Sequence, residues 1–454
     1  MNVRPSSCPP TRSTRRWPTW VARWLMVSGV AATALEVQVQ PDRADWLYAT
    51  GQPVVFTVRV TDNGHELPNA SVCYTVGEEQ KPAPELTAEV PAGGLAITGG
   101  TLDRPGFLRC TVTCSHEGRS ARGMATVGFD PERLEATQVN PPDFDAFWSA
   151  GKAELADIPL DPQLTPQPDW STDRVEVFHI SFQNIRLDGA PGYSRMYGTL
   201  CVPRERVPHP AVLLLPGAGV YRSSASTDLA AKGFITLELG IHGLPVNLPA
   251  ETYAQLRSGA LNGYQFFNLD DRRQYYYRRV FLGCLRAVDF LCGRPEYDGR
   301  NLGVMGSSQG GLLSLVVAAL DPRVSAYVSI HPAYSDVTAY LPATAGGADR
   351  AGGWPHLFRP RGNGTPNAHA TLAKIAVTGY YDAVNFARRV KVPGYFAWGF
   401  NDEVCPPTSV YCAYNACPAP RTLVLAPEAG HTVSPAQYEE AQRWLETRLR
   451  GTLE

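Results

Sequence analysis

At 454 residues the chain is too long for one compact domain of ordinary size and implies two or three units. Hydrophobic residues at 44% and charged residues at 19% supply a large core and exclude global disorder. The net charge of -2, with acids and bases interspersed, contains no basic stripe to hold a phosphate backbone and excludes nucleic acid as a partner.

The chain begins with Arg12, Arg15, Arg16 and Arg23, followed by an apolar run over residues 24–30 and then Ala32-Thr33-Ala34. A basic stretch, a short apolar stretch and a small-x-small site predict a secretory signal over residues 1–34, cleaved after Ala34. Arg15-Arg16 hints at the twin-arginine version, but Pro18 stands where that motif takes an apolar residue. The apolar run is too short to span a bilayer comfortably. No later stretch is able to cross one, so the expected product is secreted or periplasmic, without a membrane span once the signal is removed. Of ten cysteines, Cys8 leaves with the signal and nine remain, an odd number. Export permits disulfides. Cys284 and Cys292 lie two turns apart on one predicted helix, about 12 Å at 1.5 Å per residue, and cannot bridge each other.

Residues 35–129 read as all-β. Val54-Val55-Phe56-Thr57-Val58-Arg59-Val60 is rich in β-branched residues and is followed by the turn Asp62-Asn63-Gly64. Further strands are expected at 71–76 and 106–114. The spacing of turns predicts an immunoglobulin-like β-sandwich, with Cys73 placed to bridge the two sheets to Cys110 or Cys114. No tryptophan lies between these cysteines, so the hallmark of a true immunoglobulin core is missing. A spacer or packing lid is the expected role, ahead of sugar binding.

Residues 130–172 form a connector in which Phe144, Phe147, Trp148 and Leu155 share one helix face. Over residues 173–454 strands and helices alternate. Strands are expected at 175–182, 196–202, 211–215, 234–239, 301–305, 324–330, 393–399 and 422–426. Helices are expected to end near Ala230 and to span 275–291, 310–319, 380–390 and 435–449. This alternation predicts an α/β domain with a doubly wound, mostly parallel sheet. Residues 336–378 read as a long loop of the kind that forms a lid or pocket wall.

The sharpest signal is Gly306-Ser307-Ser308-Gln309-Gly310-Gly311, after an apolar strand and before a helix. That context defines a G-x-S-x-G nucleophile elbow of the α/β-hydrolase type, with Ser308 as nucleophile and Ser307 as the tolerated x. The turn is tight, so its flanks must be small, and the helix N-terminus favours a developing negative charge. A serine hydroxyl needs a base. In this fold the order is Ser, acid, His, which selects Asp402 and His431, both at carboxyl ends of strands. Glu403 is the rival acid, and His331 and His242 are rival bases that precede the acid in the chain. Backbone N–H groups of Gln309 and Ala218 are the expected oxyanion donors. Tyr264, Phe266, Phe267 and Trp354 are loop aromatics able to stack on sugar rings or to pack in the core. Trp354 and His242 are the candidate substrate contacts. Cysteine and histidine spacings match no zinc site, and no metal or organic cofactor is implied.

The elbow, Asn401-Asp402 and Gly430-His431 together resemble the acetylxylan esterase and cephalosporin-C deacetylase family, carbohydrate esterase family seven. The predicted helix Val280-Phe281-Leu282-Gly283-Cys284-Leu285-Arg286-Ala287-Val288-Asp289-Phe290-Leu291 is similar to the helix before the elbow in that family. The resemblance spans about residues 140–450. It implies an α/β-hydrolase fold and a serine esterase that removes O-acetyl groups from acetylated sugars or xylan fragments through an acyl-enzyme. Pro216-Gly217-Ala218 stands where the family has His-Gly-Tyr, Ile241-His242-Gly243-Leu244 where it has Arg-Gly-Gln-Gly, and Thr432 where it has glutamate. These departures leave the sugar and the oligomeric state open and do not touch Ser308, Asp402 and His431. The other readings are a different α/β-hydrolase, such as a peptidase or lipase-like esterase, and a non-catalytic carbohydrate-binding protein.

Overall fold

The computed structural model describes residues 35–81, 83–187, 192–361, 365 and 367–451, and the predicted signal segment lies outside them. The chain divides after Asp130 into two compact units. The first contains β1 (Leu35–Pro41), β2 (Leu47–Tyr48), β3 (Val54–Asp62), β4 (His65–Glu66), β5 (Ala70–Glu78), β6 (Leu86–Val90), β7 (Leu95–Gly100), β8 (Gly106–His116) and β9 (Arg119–Phe129). One sheet runs β1-β3-β4 with β7 also on β3, and the other runs β2-β9-β8-β5-β6. In β3, Val54, Phe56, Val58 and Val60 are buried while Thr57 and Arg59 are exposed, the alternation of a strand with one face inward. Those side chains share a core with Val72, Val112, Val127 and Phe129 of the other sheet.

The expected disulfide is not formed. Cys73 lies on β5 and Cys110 and Cys114 on β8, neighbouring strands of a single sheet. Val72 is opposite Cys114 and Val76 opposite Cys110, so Cys73, one position on from Val72, projects from the other face. No disulfide is present among the described cysteines. Strand spacing indicated which residues share a strand, not which sheet each strand joins.

The second unit carries β10 (Gln163–Pro166), β11 (Val175–Asn184), β12 (Ser194–Pro203), β13 (His209–Leu215), β14 (Ile235–Gly240), β15 (Tyr297–Ser307), β16 (Val324–Ile330), β17 (Gly394–Trp398) and β18 (Arg421–Leu425). The sheet order is β10-β11-β12-β14-β13-β15-β16-β17-β18. From β10 to β14 the pairings are antiparallel. From β14 through β13 to β18 they are parallel. The helix Pro435–Arg450 lays Ala441, Leu445 and Leu449 on Val212, Met305, Val328 and Tyr395. The helices Tyr276–Cys292 and Gln309–Leu320 cover the opposite face and are buried almost all round.

The connector belongs to this second unit. The helix Phe144–Ala156 buries the four side chains that share its face. Phe144 and Phe147 pack on Tyr380, Trp148 on Phe281 and Phe386. The helix expected over 380–390 is shorter, Ala383–Ala387, and a separate helix, Leu372–Thr378, lies inside the stretch expected as a loop. Asp382 caps the start of the shorter helix: its carboxylate accepts from Val384 N–H at 3.0 Å, and from Asp336 and Val337 N–H at 3.0 and 2.9 Å. Asp336 in turn accepts from Thr137 and Gln138 N–H at 2.8 and 3.0 Å. The start of the expected loop is therefore pinned rather than open. Among the described residues no helix is long and apolar enough to cross a membrane.

Candidate active site

Ser308 sits between β15 and the helix Gln309–Leu320 at φ 59° and ψ -120°, a conformation strained for any residue with a side chain. The end of β16 and the loop after it hold it there. Ser308 N–H donates to Ile330 O at 2.9 Å, and Ala333 N–H donates to Ser308 O at 3.0 Å. A Cβ on Gly306 would lie 2.4 Å from the Gly310 carbonyl carbon, and one on Gly310 would lie 2.2 Å from Leu215 O. Both obstacles are backbone, which is why small residues must flank the serine by two positions.

Ser308 Oγ lies 3.0 Å from His431 Nε2, and His431 Nδ1 lies 2.7 Å from Asp402 Oδ2. Asp402 is fully buried, and its second oxygen accepts from Val404 and Cys405 N–H, both at 2.8 Å. A carboxylate only accepts, so His431 carries its proton on Nδ1 and leaves Nε2 to accept from the serine hydroxyl. The loops after β15, β17 and β18 thus bring together the three residues picked from the chain. Glu403, the rival acid, is exposed.

His331 also reaches the site, but beside His431 rather than Ser308. It is buried, its Nε2 is 2.7 Å from Ser307 Oγ, and its ring centroid is 4.3 Å from that of His431. Burial first, and the neighbouring His431 second, push its pKa down to about 3. Cys405 was not anticipated. Its thiol is fully buried beside Ser308 and Asp402, and burial raises its pKa well above the ordinary thiol value. Its place three residues after the acid was the only signal.

His242 does not present a free ring to a substrate. Its Nδ1 is 2.7 Å from Tyr276 Oη and its Nε2 is 2.7 Å from Gly219 O. Both nitrogens are engaged because the ring lies between the loop after β13 and the helix Tyr276–Cys292. Gln309 is buried; its side-chain amide donates to Pro216 O and Gly217 O at 3.3 and 3.1 Å and accepts from Tyr264 and Tyr277 hydroxyls at 2.8 and 2.7 Å. The Gln309 N–H, in the first turn of its helix, has no intrahelical acceptor. Among the described residues the Ala218 N–H donates to no group.

Of the aromatics, Tyr264 is buried against Gln309 and Phe266 stacks on His369 with centroids 4.3 Å apart. Trp354 is half-buried on a loop that runs beside the acid, its backbone N–H donating to Val404 O at 3.1 Å. Donor atoms of His331, Asp402 and His431 lie within 4.8 Å of one another, the spacing of a metal cluster. A cation there would have to break the Asp402–His431 bond. The other such group, Asp62, His116 and Glu117, is already ion-paired with Arg119, at 2.7 Å to Asp62.

A family model described as acetyl xylan esterase matches residues 132–448. An acetyl esterase, Axe7A, from Xylanibacter ruminicola is 38% identical over 418 residues, 90% of each chain. A rat acyl-coenzyme A thioesterase is 29% identical over 141 residues, 30% of this chain and 27% of the other. The crystal structure of acetyl xylan esterase 1 from Thermoanaerobacterium sp. JW/SL YS485 superposes with a TM-score of 0.57 at 24% identity, covering 70% of this chain and 97% of that one. An acetyl xylan esterase from Paenibacillus sp. R4 gives 0.57 at 24%, covering 70% and 98%. The two structures show the fold, an α/β esterase fold with a mixed sheet. The extent of the family match, together with the full-length relative, means that the chain belongs to the acetyl xylan esterase family.

Proposed function

We propose that the protein removes O-acetyl groups from acetylated sugars or xylan fragments, with Ser308 as nucleophile, His431 as base and Asp402 as the acid that orients it. Family membership makes the chain a carboxylic-ester hydrolase. The observation that carries the residue assignment is the continuous hydrogen-bonded chain from Ser308 Oγ through His431 to Asp402.

Ser308 Oγ attacks the acetyl carbonyl as His431 Nε2 takes its proton. The oxyanion is held by the N–H groups of Gln309 and Ala218. On collapse the sugar oxygen leaves with the proton returned by His431, and the acetyl group stays on Ser308. A water then attacks, gives its proton to His431, and acetate departs as Ser308 is reprotonated. Asp402 holds the tautomer that accepts and stabilises the imidazolium. Trp354, half-buried beside the acid loop, is the proposed sugar contact.

We assign residues 35–129 as an immunoglobulin-like sandwich acting as a spacer, on the strength of two sheets around one core. The arginine-rich start and Ala32-Thr33-Ala34 support a signal segment over 1–34 and a secreted or periplasmic product. The deciding experiment is acetate release from acetylated xylan, acetylated oligosaccharides and aryl acetates, with a peptide panel and Ser308→Ala as controls. Turnover confined to peptides, or acetate release that survives Ser308→Ala, would sink the reading.

A further inference from the structure

The second oxyanion donor belongs to the peptide unit Gly217–Ala218. In a planar trans peptide the N–H points opposite to the C=O, so whatever holds Gly217 O also aims the Ala218 N–H. Two groups hold it. The Tyr221 hydroxyl donates to Gly217 O at 3.0 Å and the Gln309 amide donates at 3.1 Å. The following turn of backbone is tied as well. Gly219 O accepts from His242 Nε2 at 2.7 Å, and Gly219 N–H reaches the Tyr264 hydroxyl at 3.4 Å.

The chemistry of each contact fixes its direction. A carbonyl only accepts, so His242 Nε2 carries the proton. Burial, the largest influence, lowers the pKa of His242 to about 4, so the ring is neutral at neutral pH and Nδ1 accepts from the Tyr276 hydroxyl at 2.7 Å. The Tyr264 hydroxyl donates to Gln309 Oε1 at 2.8 Å and is left to accept from Gly219. Gly219 has φ 134°, and a Cβ there would lie 3.1 Å from the Tyr221 ring, so the ring covers the loop where only glycine fits. Ala218 itself has a single methyl group and cannot anchor the loop.

We propose that Tyr221 and His242 are positioning residues for the oxyanion hole, clamping the carbonyls of Gly217 and Gly219 so that the Ala218 N–H faces the acyl oxygen. The inference rests on the esterase reading above and on Ala218 as the second donor. His242 accordingly acts on the reaction through the loop and not by touching the sugar. Losing one oxyanion donor costs about 10²–10³-fold in kcat, and a donor left loosely aimed costs less, about 5–50-fold.

The test compares Tyr221→Phe, His242→Phe and His242→Gln on an aryl acetate and an acetylated sugar, with Tm and the affinity of an alkyl trifluoromethyl ketone. That ketone forms a hemiketal on Ser308 and places an oxyanion in the hole. Tyr221 is 48% exposed, so removal of its hydroxyl leaves the core intact. Tyr221→Phe and His242→Phe are each expected to lower kcat about 5–50-fold, leave KM within about twofold and weaken the ketone by the same factor. His242→Gln, whose amide can still donate to Gly219 O, is expected to recover most of the loss. A raised KM at unchanged kcat would make His242 a substrate contact and overturn the proposal, as would wild-type kcat in Tyr221→Phe. If His242→Phe does not fold, Tyr221→Phe decides alone. Failure of the esterase reading is distinct: the wild type itself would then release no acetate, or Ser308→Ala would still do so.

Discussion

His331 lies against His431 with ring planes 36° apart, and its other attachment is the 2.7 Å bond from Nε2 to Ser307 Oγ. His431 therefore rests on a ring fixed to the elbow that presents Ser308. A charge there would oppose the imidazolium that the proposed mechanism places on His431, and burial keeps His331 neutral instead. Its Nδ1 is buried without a partner among the described residues.

That neutrality has a cost in acid. Folded His331 titrates at about 3 and His242 at about 4, against an ordinary value of 6.5. Below pH 6.5 the unfolded chain takes up protons that the folded one refuses, so stability falls as pH drops from about 6.5 towards 4. Replacing His331 by Phe keeps a ring under His431 and removes one of these titrations. The loss of denaturant midpoint between pH 7 and pH 4.5 is expected to be smaller in His331→Phe than in wild type. An equal loss would show that His331 does not contribute to acid sensitivity.

Asp402→Asn is expected to lower kcat far more than it lowers Tm. The amide oxygen can still accept from Val404 and Cys405 N–H, so the loop stays closed. Its NH2 then faces His431 Nδ1, which forces the ring proton to Nε2 and leaves nothing to accept from Ser308. The same change in another Ser-His-Asp enzyme costs about 10⁴-fold. A loss below about tenfold would remove Asp402 from the triad.

Gly310→Ala is expected to abolish turnover or prevent folding, because its Cβ would sit 2.2 Å from Leu215 O on β13, a buried strand unable to retreat. Circular dichroism and the acetate-release rate together decide it. A variant with wild-type Tm and kcat would mean that the elbow is looser than its geometry implies.

Among phenyl esters, kcat/KM is expected to fall from acetyl to butyryl to octanoyl, with discrimination of about 10–200-fold for the early methylenes. A closed acyl wall rejects the longer chain by overlap. Ala218, with a single methyl group, is the residue most able to enlarge that wall. A value rising with chain length would favour a lipase-like enzyme and leave the triad standing.

Treatment with dithiothreitol is expected to leave Tm unchanged. No disulfide exists among the described cysteines, and Cys110 and Cys284 are fully buried side chains whose thiols burial holds protonated. A fall of several degrees would reveal a bridge.

The candidate site was legible in the sequence wherever local sterics dictate residue type. Gly306-Ser307-Ser308-Gln309-Gly310 is such a place, since two backbone contacts below 2.5 Å admit only glycine at its ends. Asp402 and His431 followed from chain order, because the parallel strands deliver their ends to one edge of the sheet. The apolar run over residues 211–215 likewise announced a strand buried on both faces. What only the tertiary structure decided was which side chains meet across elements far apart in the chain. His242 and His331 look alike in sequence, each just after a strand, yet one bonds the Gly219 carbonyl and the other packs on the His431 ring. Cys73 and Cys110 were placed on strands correctly and on sheets wrongly, since strand pairing is set by the packing of distant segments. The helix expected over 380–390 starts only after Asp382, whose carboxylate caps it and also accepts from N–H groups of Asp336 and Val337, more than forty residues away. Periodicity and turn chemistry are local and can be read along the chain. Partner choice depends on which surfaces fill the core together, and no short stretch of sequence encodes that.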